Sequence, residues 1–423
     1  MTNAADIHDI FDIQLDPDAF ATPDVPGMPD SIYEQPHEFF ESLRQHSGDV
    51  VEVVDGKVDG NPFPFFGTRD RTRPVYVVLG FKTIQSVLSN QSDFHQNYSE
   101  HMGVLMGENV IVGLNPPVHR KYRGLVNQAF GMQSVNALTH QIIEPLIDGI
   151  LDRIVANQRS DLVQDLACRL PVFLIGHIFD LPPSQYADFA KCAGTLMAAG
   201  FNWPAALKAS QELESMFQEI IAYRRAHPGE DIISRLINAR LDGDQLTDSD
   251  IVSFCRALLP AGMETTVRAL TSLFAVLMTQ PEHWRRLNQD NSLIPAAVEE
   301  VIRWNGPAQT LPKTPTRDVV LDGHSVPAGA SLWIYIGHAN RDPRHWDQPH
   351  QYELTRPKAM HLGFSFGQHM CLGNVLARRE LELTLREMLH RLPDLRLDPD
   401  LPTPRIRGVI SRSASSVHVL ARS

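Results

Sequence analysis

Cys371 closes the stretch Gly363-Phe-Ser-Phe-Gly-Gln-His-Met-Cys-Leu-Gly373, which turns at Gly367 and leads into a helix from about Leu372 to Leu392. A helix start offers unpaired N–H groups and the positive end of the macrodipole, and both favour thiolate over thiol. Gly367 can supply a positive φ, and Gly373 lets a flat ligand approach the backbone. A thiolate held in that way is a soft, strongly donating metal ligand. The plainer reading of a lone cysteine is a buried apolar residue; the flanking Gly, His and Gly weigh against it. Cys168, Cys192 and Cys255 are scattered with no C-x-x-C pair, so neither a disulfide framework nor a zinc ribbon is indicated.

A second constellation is Leu259-Pro-Ala-Gly-Met-Glu-Thr-Thr266. Pro260 removes one intrahelical bond, and the Thr265 hydroxyl can bond back to the Ala261 carbonyl, so a bend is built in. An acid, Glu264, beside a hydroxyl at such a kink can bring protons to one buried spot. The alternative is a bent core helix with Glu264 turned to solvent. Glu300 and Arg303 are three apart and can pair; as a surface pair they are worth at most about 1 kcal/mol. His119 and Arg123 share a helix face, either as a surface cation pair or as a grip on an anion.

The string F-x-x-G-x-H-x-C-x-G, filled by Phe364, Gly367, His369, Cys371 and Gly373, resembles the haem-binding signature of the cytochrome P-450 family. Ser365 stands where bacterial members more often carry Gly. Glu300-x-x-Arg303 is similar to the family's E-x-x-R, with Arg356 the candidate for its third partner, and Ala261-Gly-Met-Glu-Thr265 resembles the family's A-G-x-E-T. The resemblance implies a mainly α fold with a small β-rich part, and haem b between a long central helix and the cysteine loop. Cys371 is then the metal ligand. Thr265 steers protons to dioxygen and Glu264 feeds it. His119, Arg123, Lys313, His361 and His369 meet the haem propionates, while Phe364, Gly367 and Gly373 shape the cofactor bed. Lys313 keeps the charge of the family's usual Arg and loses its fork. Ala257, Pro260, Ala261, Gln309, Leu311 and Ile410 fall at positions that line the substrate pocket in relatives, with Pro260 replacing an aliphatic residue and Gln309 the one polar handle.

The implied reaction is O2-dependent insertion of one oxygen atom into a C–H bond of a small to medium hydrophobic substrate. A peroxide-driven enzyme of the same fold and a non-catalytic haem-thiolate sensor or carrier are the alternatives; the Glu264-Thr265 pair speaks against the former. No G-x-G-x-x-G segment is evident, so electrons are expected from a ferredoxin or flavodoxin with its NAD(P)H reductase. Arg378 and Arg379 follow Cys371 and read as docking contacts or as a solvated helix face.

These residues need elements to hold them. Residues 1–30, rich in Pro, Asp and Ala, read as an N-terminal arm, and 31–423 as a single catalytic domain. Val50–Val54 and Val75–Leu79 read as strands, and the prolines of 61–66 as a break between them. Apolar residues recur at helical spacing from Ile142 to Ile154, Leu213 to Ile221 and Ile251 to Met278. Thr247 and Asp250 form a capping box that starts a helix running to about Gln280. A hairpin turns at Asp322-Gly323, Ser331–Ile336 is a strand, and a last hairpin spans 406–420. The 423 residues carry a formal net charge of −12, which argues against a nucleic-acid partner. No secretory leader and no membrane-length apolar run is present, so a cytoplasmic enzyme with reduced thiols is expected.

Overall fold

The computed structural model of the chain describes residues 10–15, 20, 27–63, 73–97, 99–197, 199 and 202–421. The two β-branched runs form β1 (Val50–Val53) and β2 (Val75–Val78). With β3 (Phe94–Gln96), β4 (Leu311–Pro315) and β5 (Ser331–Ile334) they make one sheet in the order β1-β2-β5-β4-β3. β1 is antiparallel to β2, β5 runs parallel to β2 with Ser331 opposite Val75, and β4 returns antiparallel with Lys313 opposite Leu332. β3 then sets Gln96 opposite Lys313. All residues of β2 and β5 are buried, as befits strands covered on both faces.

Two strand expectations change. Asn61–Pro62 pairs with Lys57–Val58, because a two-residue edge hairpin tolerates a missing donor; residues 64–66 lie outside the described residues. The last hairpin is only Ile406–Arg407 against Ser413–Ala414. His418–Leu420 pairs instead with Arg396–Leu397 and Arg159–Asp161, where the Asp161 carboxylate accepts the Val417 N–H at 2.8 Å.

The helices that frame the site are α1 (Val118–Ala129), α2 (Arg169–Ile178), α3 (Trp203–Ala226), α4 (Asp248–Thr279), α5 (Ile294–Asn305) and α6 (Asn374–Arg391). α4 starts at the expected capping box: Thr247 Oγ1 accepts from the Asp250 N–H, and the Asp250 carboxylate accepts from the Thr247 N–H. Its 32 residues span about 48 Å. It packs against α2, α3, α5 and α6, so it is apolar nearly all round instead of along one stripe. Leu259, Met263, Leu270 and Phe274 join Leu174 of α2, Phe217 of α3, Val301 of α5 and Leu381 of α6 in the main core. Phe11 packs edge-on against Phe173, and Arg169 donates to the Phe11 and Ile13 carbonyls.

α5 buries Ile294, Ala297, Val298 and Val301, and it takes Glu300 and Arg303 inside with them. Arg303 is 2% exposed and donates to both Glu300 oxygens at 2.7 and 2.8 Å. It also donates to the carbonyls of Asn340, Pro349 and Gln351. Arg356 completes the group, its Nε lying 2.9 and 3.1 Å from the two Glu300 oxygens. This network pins the segment that precedes the cysteine loop onto α5.

Candidate active site

A cavity of about 710 Å³ separates α4 from the cysteine loop. α4 contributes Ala257, Pro260, Ala261, Gly262, Thr265, Thr266 and Ala269, one face at helical spacing. Thr265 Oγ1 donates to the Ala261 carbonyl at 2.7 Å, as anticipated, and Thr266 Oγ1 donates to Gly262 at 3.1 Å. Opposite stand Phe364, Ser365, His369, Cys371 and Gly373; Leu174, Ile175 and Ile178 of α2 with Trp203, Phe254 and Leu311 close the sides.

Backbone bonds fix the cysteine loop. The Cys371 N–H donates to Phe364 O at 2.9 Å, Met370 N–H to Gly367 O at 3.1 Å, and Asn374 Nδ2 to Cys371 O at 2.7 Å. Ser365 and Gly367 take φ of 63° and 74°. A Cβ at Gly367 would lie 2.8 Å from the Leu88 carbonyl oxygen. Gly367→Ala therefore adds left-handed strain to a backbone collision, and we expect a loss of about 2 kcal/mol or more in a thermal melt. Ser365→Gly, with strain to relieve and no collision, is expected to keep or slightly raise stability. Equal melts for Gly367→Ala and wild type would contradict this reading.

Cys371 is exposed, and the surface it shows belongs to the cavity wall. Burial by the surrounding loop raises its thiol, against the Gly373 N–H, Arg123 and Arg378, which pull it down. The sequence reading gave the helix start more weight than it has. α6 begins at Asn374 with Gly373 as its cap, so Cys371 stands outside the first turn.

Beside the thiol lies a cluster of nitrogen donors, with His119 and Lys313 buried and His369 and Arg123 half-buried. The His119 and His369 rings are 3.9 Å apart, and both His119 nitrogens and His369 Nε2 are buried without partners. Burial first, then Arg123 and Lys313, push His119 down to about 4. Burial, His119, Lys313 and Arg123 take His369 to about 3. Lys313 is 1% exposed, and burial takes it to about 8. Arg123 borders the cavity and donates to Met370 O at 2.9 Å. Among the described residues none of the four has a carboxylate partner, and a buried cation without an anion is costly. The donor set suits a ligand that brings its own carboxylates, and Cys371 suits its metal.

The cytochrome P450 family model matches residues 200–406. The chain is 31% identical over 354 residues to the cytochrome P450 monooxygenase PikC of Streptomyces venezuelae, covering 79% of this chain and 83% of that protein. The chain belongs to the cytochrome P450 family. Its relatives carry monooxygenase names, and this P450 is an enzyme of that class. A steroid C26-monooxygenase of Mycobacterium tuberculosis is 32% identical over 297 residues, 69% of this chain and 80% of that one. The crystal structure of CYP109E1 from Bacillus megaterium in complex with testosterone superposes with a TM-score of 0.79 at 27% identity, over 92% of this chain and 99% of that one.

The geometry of this P450 also corrects several expectations. His361 does not face the donor cluster. Its Nδ1 accepts the Gly363 N–H, and its Nε2 lies 3.0 Å from Glu299, so no nitrogen is left for a propionate. Burial would raise Glu299, but His361 and Arg378 outweigh it and hold the acid at about 2. Arg378 is therefore tied to Glu299 and stacked over Phe364 at 4.3 Å instead of standing free for docking. Glu264 is buried against Arg268 and does not border the cavity. Gln309 donates Nε2 to Gly306 O at 2.6 Å and its N–H to the Ile410 carbonyl at 2.8 Å; neither residue lines the cavity. The wall thus lacks the polar handle assigned to Gln309. Sequence reading missed Glu299, Arg268 and Glu380. Glu380 had a signal, since it shares a helix face with Gly373, Leu376 and Ala377, an otherwise apolar row.

Proposed function

We propose that this P450 binds haem b through Cys371 Sγ and inserts one atom of O2 into a C–H bond of a neutral, small to medium hydrophobic substrate. One observation carries the reading: Cys371 shares a cavity with Arg123 and His369, two members of a donor cluster that has no carboxylate partner among the described residues, and the opposite wall presents Thr265. His119, His369, Arg123 and Lys313 would hold the propionates, with Phe364, Gly367 and Gly373 shaping the bed. Haem, when bound, supplies the activation of O2 with two electrons and two protons, while thiolate donation favours O–O cleavage.

The chain's own residues bind, orient and keep water out. Phe254, Leu174, Ile175 and Trp203 offer a substrate apolar contact. The Thr265 hydroxyl, which donates to the Ala261 carbonyl, would pass protons across the cavity. A relative named for a steroid and a structure holding testosterone support a hydrophobic substrate. Electrons come from a ferredoxin or flavodoxin and its reductase, docked on the cysteine side, where Met370 and Val375 are exposed. Free cysteines support a cytoplasmic setting. No helix among the described residues is long and apolar enough to cross a membrane.

Thr265→Ala tests the reading directly. It is expected to keep the haem-thiolate spectrum while electrons from NAD(P)H leave as hydrogen peroxide instead of hydroxylated product, a fall in coupling of about 10-fold or more. Unchanged coupling would overturn the role of Thr265. Turnover driven by peroxide alone, with none from a reductase and O2, would favour the peroxygenase reading instead.

A further inference from the structure

Pro260 lies inside α4 and stands on the cavity wall between Ala257 and Ala261. In an α-helix each carbonyl accepts from the N–H four residues on, and a proline has none to give. The Arg256 carbonyl is therefore left without its helical donor. Among the described residues no side chain donates to it either. The Arg256 side chain does not cover it, being drawn off to α3, where Nη1 donates to Ser210 Oγ and to the Glu214 carboxylate, both at 3.1 Å.

The ring tells where the free oxygen faces. A helical carbonyl points along the axis at the nitrogen four residues on, here the nitrogen that carries the Pro260 ring. The ring crowds that carbonyl and parts the two turns on its own side of the helix. Pro260 borders the cavity, so the gap between residues 256 and 260 opens there. The wall around it is apolar, formed by Leu174, Ile175, Ile178, Phe254, Ala257 and Ala261. The cavity's polar groups are engaged or stand elsewhere. Thr265 and Thr266 are bonded to their own helix, Arg123 to Met370 O and Asn97 to Ser331 Oγ. Glu380, 3% exposed with an unpartnered Oε2, lies on α6. A carbonyl left unpaired in apolar surroundings is costly until a donor completes it.

Resting on the oxygenase reading above, we propose that the Arg256 carbonyl, freed by Pro260, is the polar handle of the substrate pocket, and that the substrate is a neutral hydrophobic molecule bearing a hydroxyl group. The substrate O–H donates to the Arg256 oxygen. Pro260 precedes Thr265 by five residues, about 7.5 Å along the axis. The hydroxyl thus anchors one end of the molecule and leaves a carbon some distance away at the Thr265 end. An ether of the same skeleton leaves the carbonyl unpaired and binds more weakly.

The test compares wild type with Pro260→Ala and Pro260→Val in the full-length holoprotein. Both variants restore an N–H at residue 260, and Val is close to proline in size, so an effect shared by the two is not a change of cavity volume. The probes are menthol, 4-butylphenol and testosterone, each paired with its methyl ether, with binding read from the spin-state shift of the haem. In wild type at least one alcohol is expected to bind about 10-fold more tightly than its ether, and in both variants that ratio falls to within about twofold. Both variants should also melt at a higher temperature, with the residue-260 amide protected from hydrogen exchange, because the helical bond has reformed. The proposal is overturned by a wild type that binds no alcohol better than its ether, by a preference that survives in either variant, or by a residue-260 amide that exchanges freely. A wild type without the haem-thiolate spectrum would remove the oxygenase reading by itself, and the melts and amide exchange would still decide whether the Arg256 carbonyl lacks its donor.

Discussion

Glu300→Ala is expected to cost about 3–5 kcal/mol and to leave little folded protein at physiological temperature. The cost follows from what remains. Arg303 and Arg356, 2% and 10% exposed at the side chain, would both be buried without their shared anion. Glu300 also accepts the Glu353 N–H at 3.0 Å, so a backbone donor is orphaned as well. Arg356→Ala should cost less, because Arg303 still neutralises Glu300. Urea melts give the order, and an Arg356→Ala loss that equals or exceeds Glu300→Ala would refute this account of the network. Loosening it should also weaken haem retention, since segment 340–356 leads directly into the cysteine loop.

Glu380→Gln should stabilise the protein, and increasingly so as pH rises. The unfolded carboxyl releases its proton near its ordinary value of 4.5, whereas the folded one keeps it to about 8. Between those values the folded state binds more protons than the unfolded state, so wild-type stability falls as pH rises through that window. The full effect is bounded at about 5 kcal/mol. Gln does not titrate, so its advantage should be small near pH 5 and greatest near pH 8 and above. A constant difference in melting temperature from about pH 5 to about pH 8 would contradict the burial assigned to this acid.

What the sequence made legible was local. The Thr247 capping box, the back-bond of Thr265, the left-handed Gly367 and the Glu300–Arg303 pair each depend on residues a few positions apart, and each is in place. What it hid was the choice between partners far apart in the chain. His361 looked available until Glu299, 62 positions upstream, took its Nε2. Glu264 looked like a free acid because nothing in its string says that Arg268 is held inward by Ser413 and Phe20. Gln309 looked like a pocket residue, and a single bond to Gly306 turned it away. A side chain's type shows in its own neighbourhood, but the direction it faces depends on tertiary partners that periodicity does not name.

The absorption spectrum of the purified, reduced full-length protein under carbon monoxide bears on all of this most directly. A strongly red-shifted Soret band, abolished in Cys371→Ala, is the expected result, because thiolate ligation would shift the band that far and nitrogen ligation would not. A band of the nitrogen-ligated kind, a preparation that takes up no haem, or a Cys371→Ala protein with an unaltered spectrum would contradict the assignment of sulfur to iron.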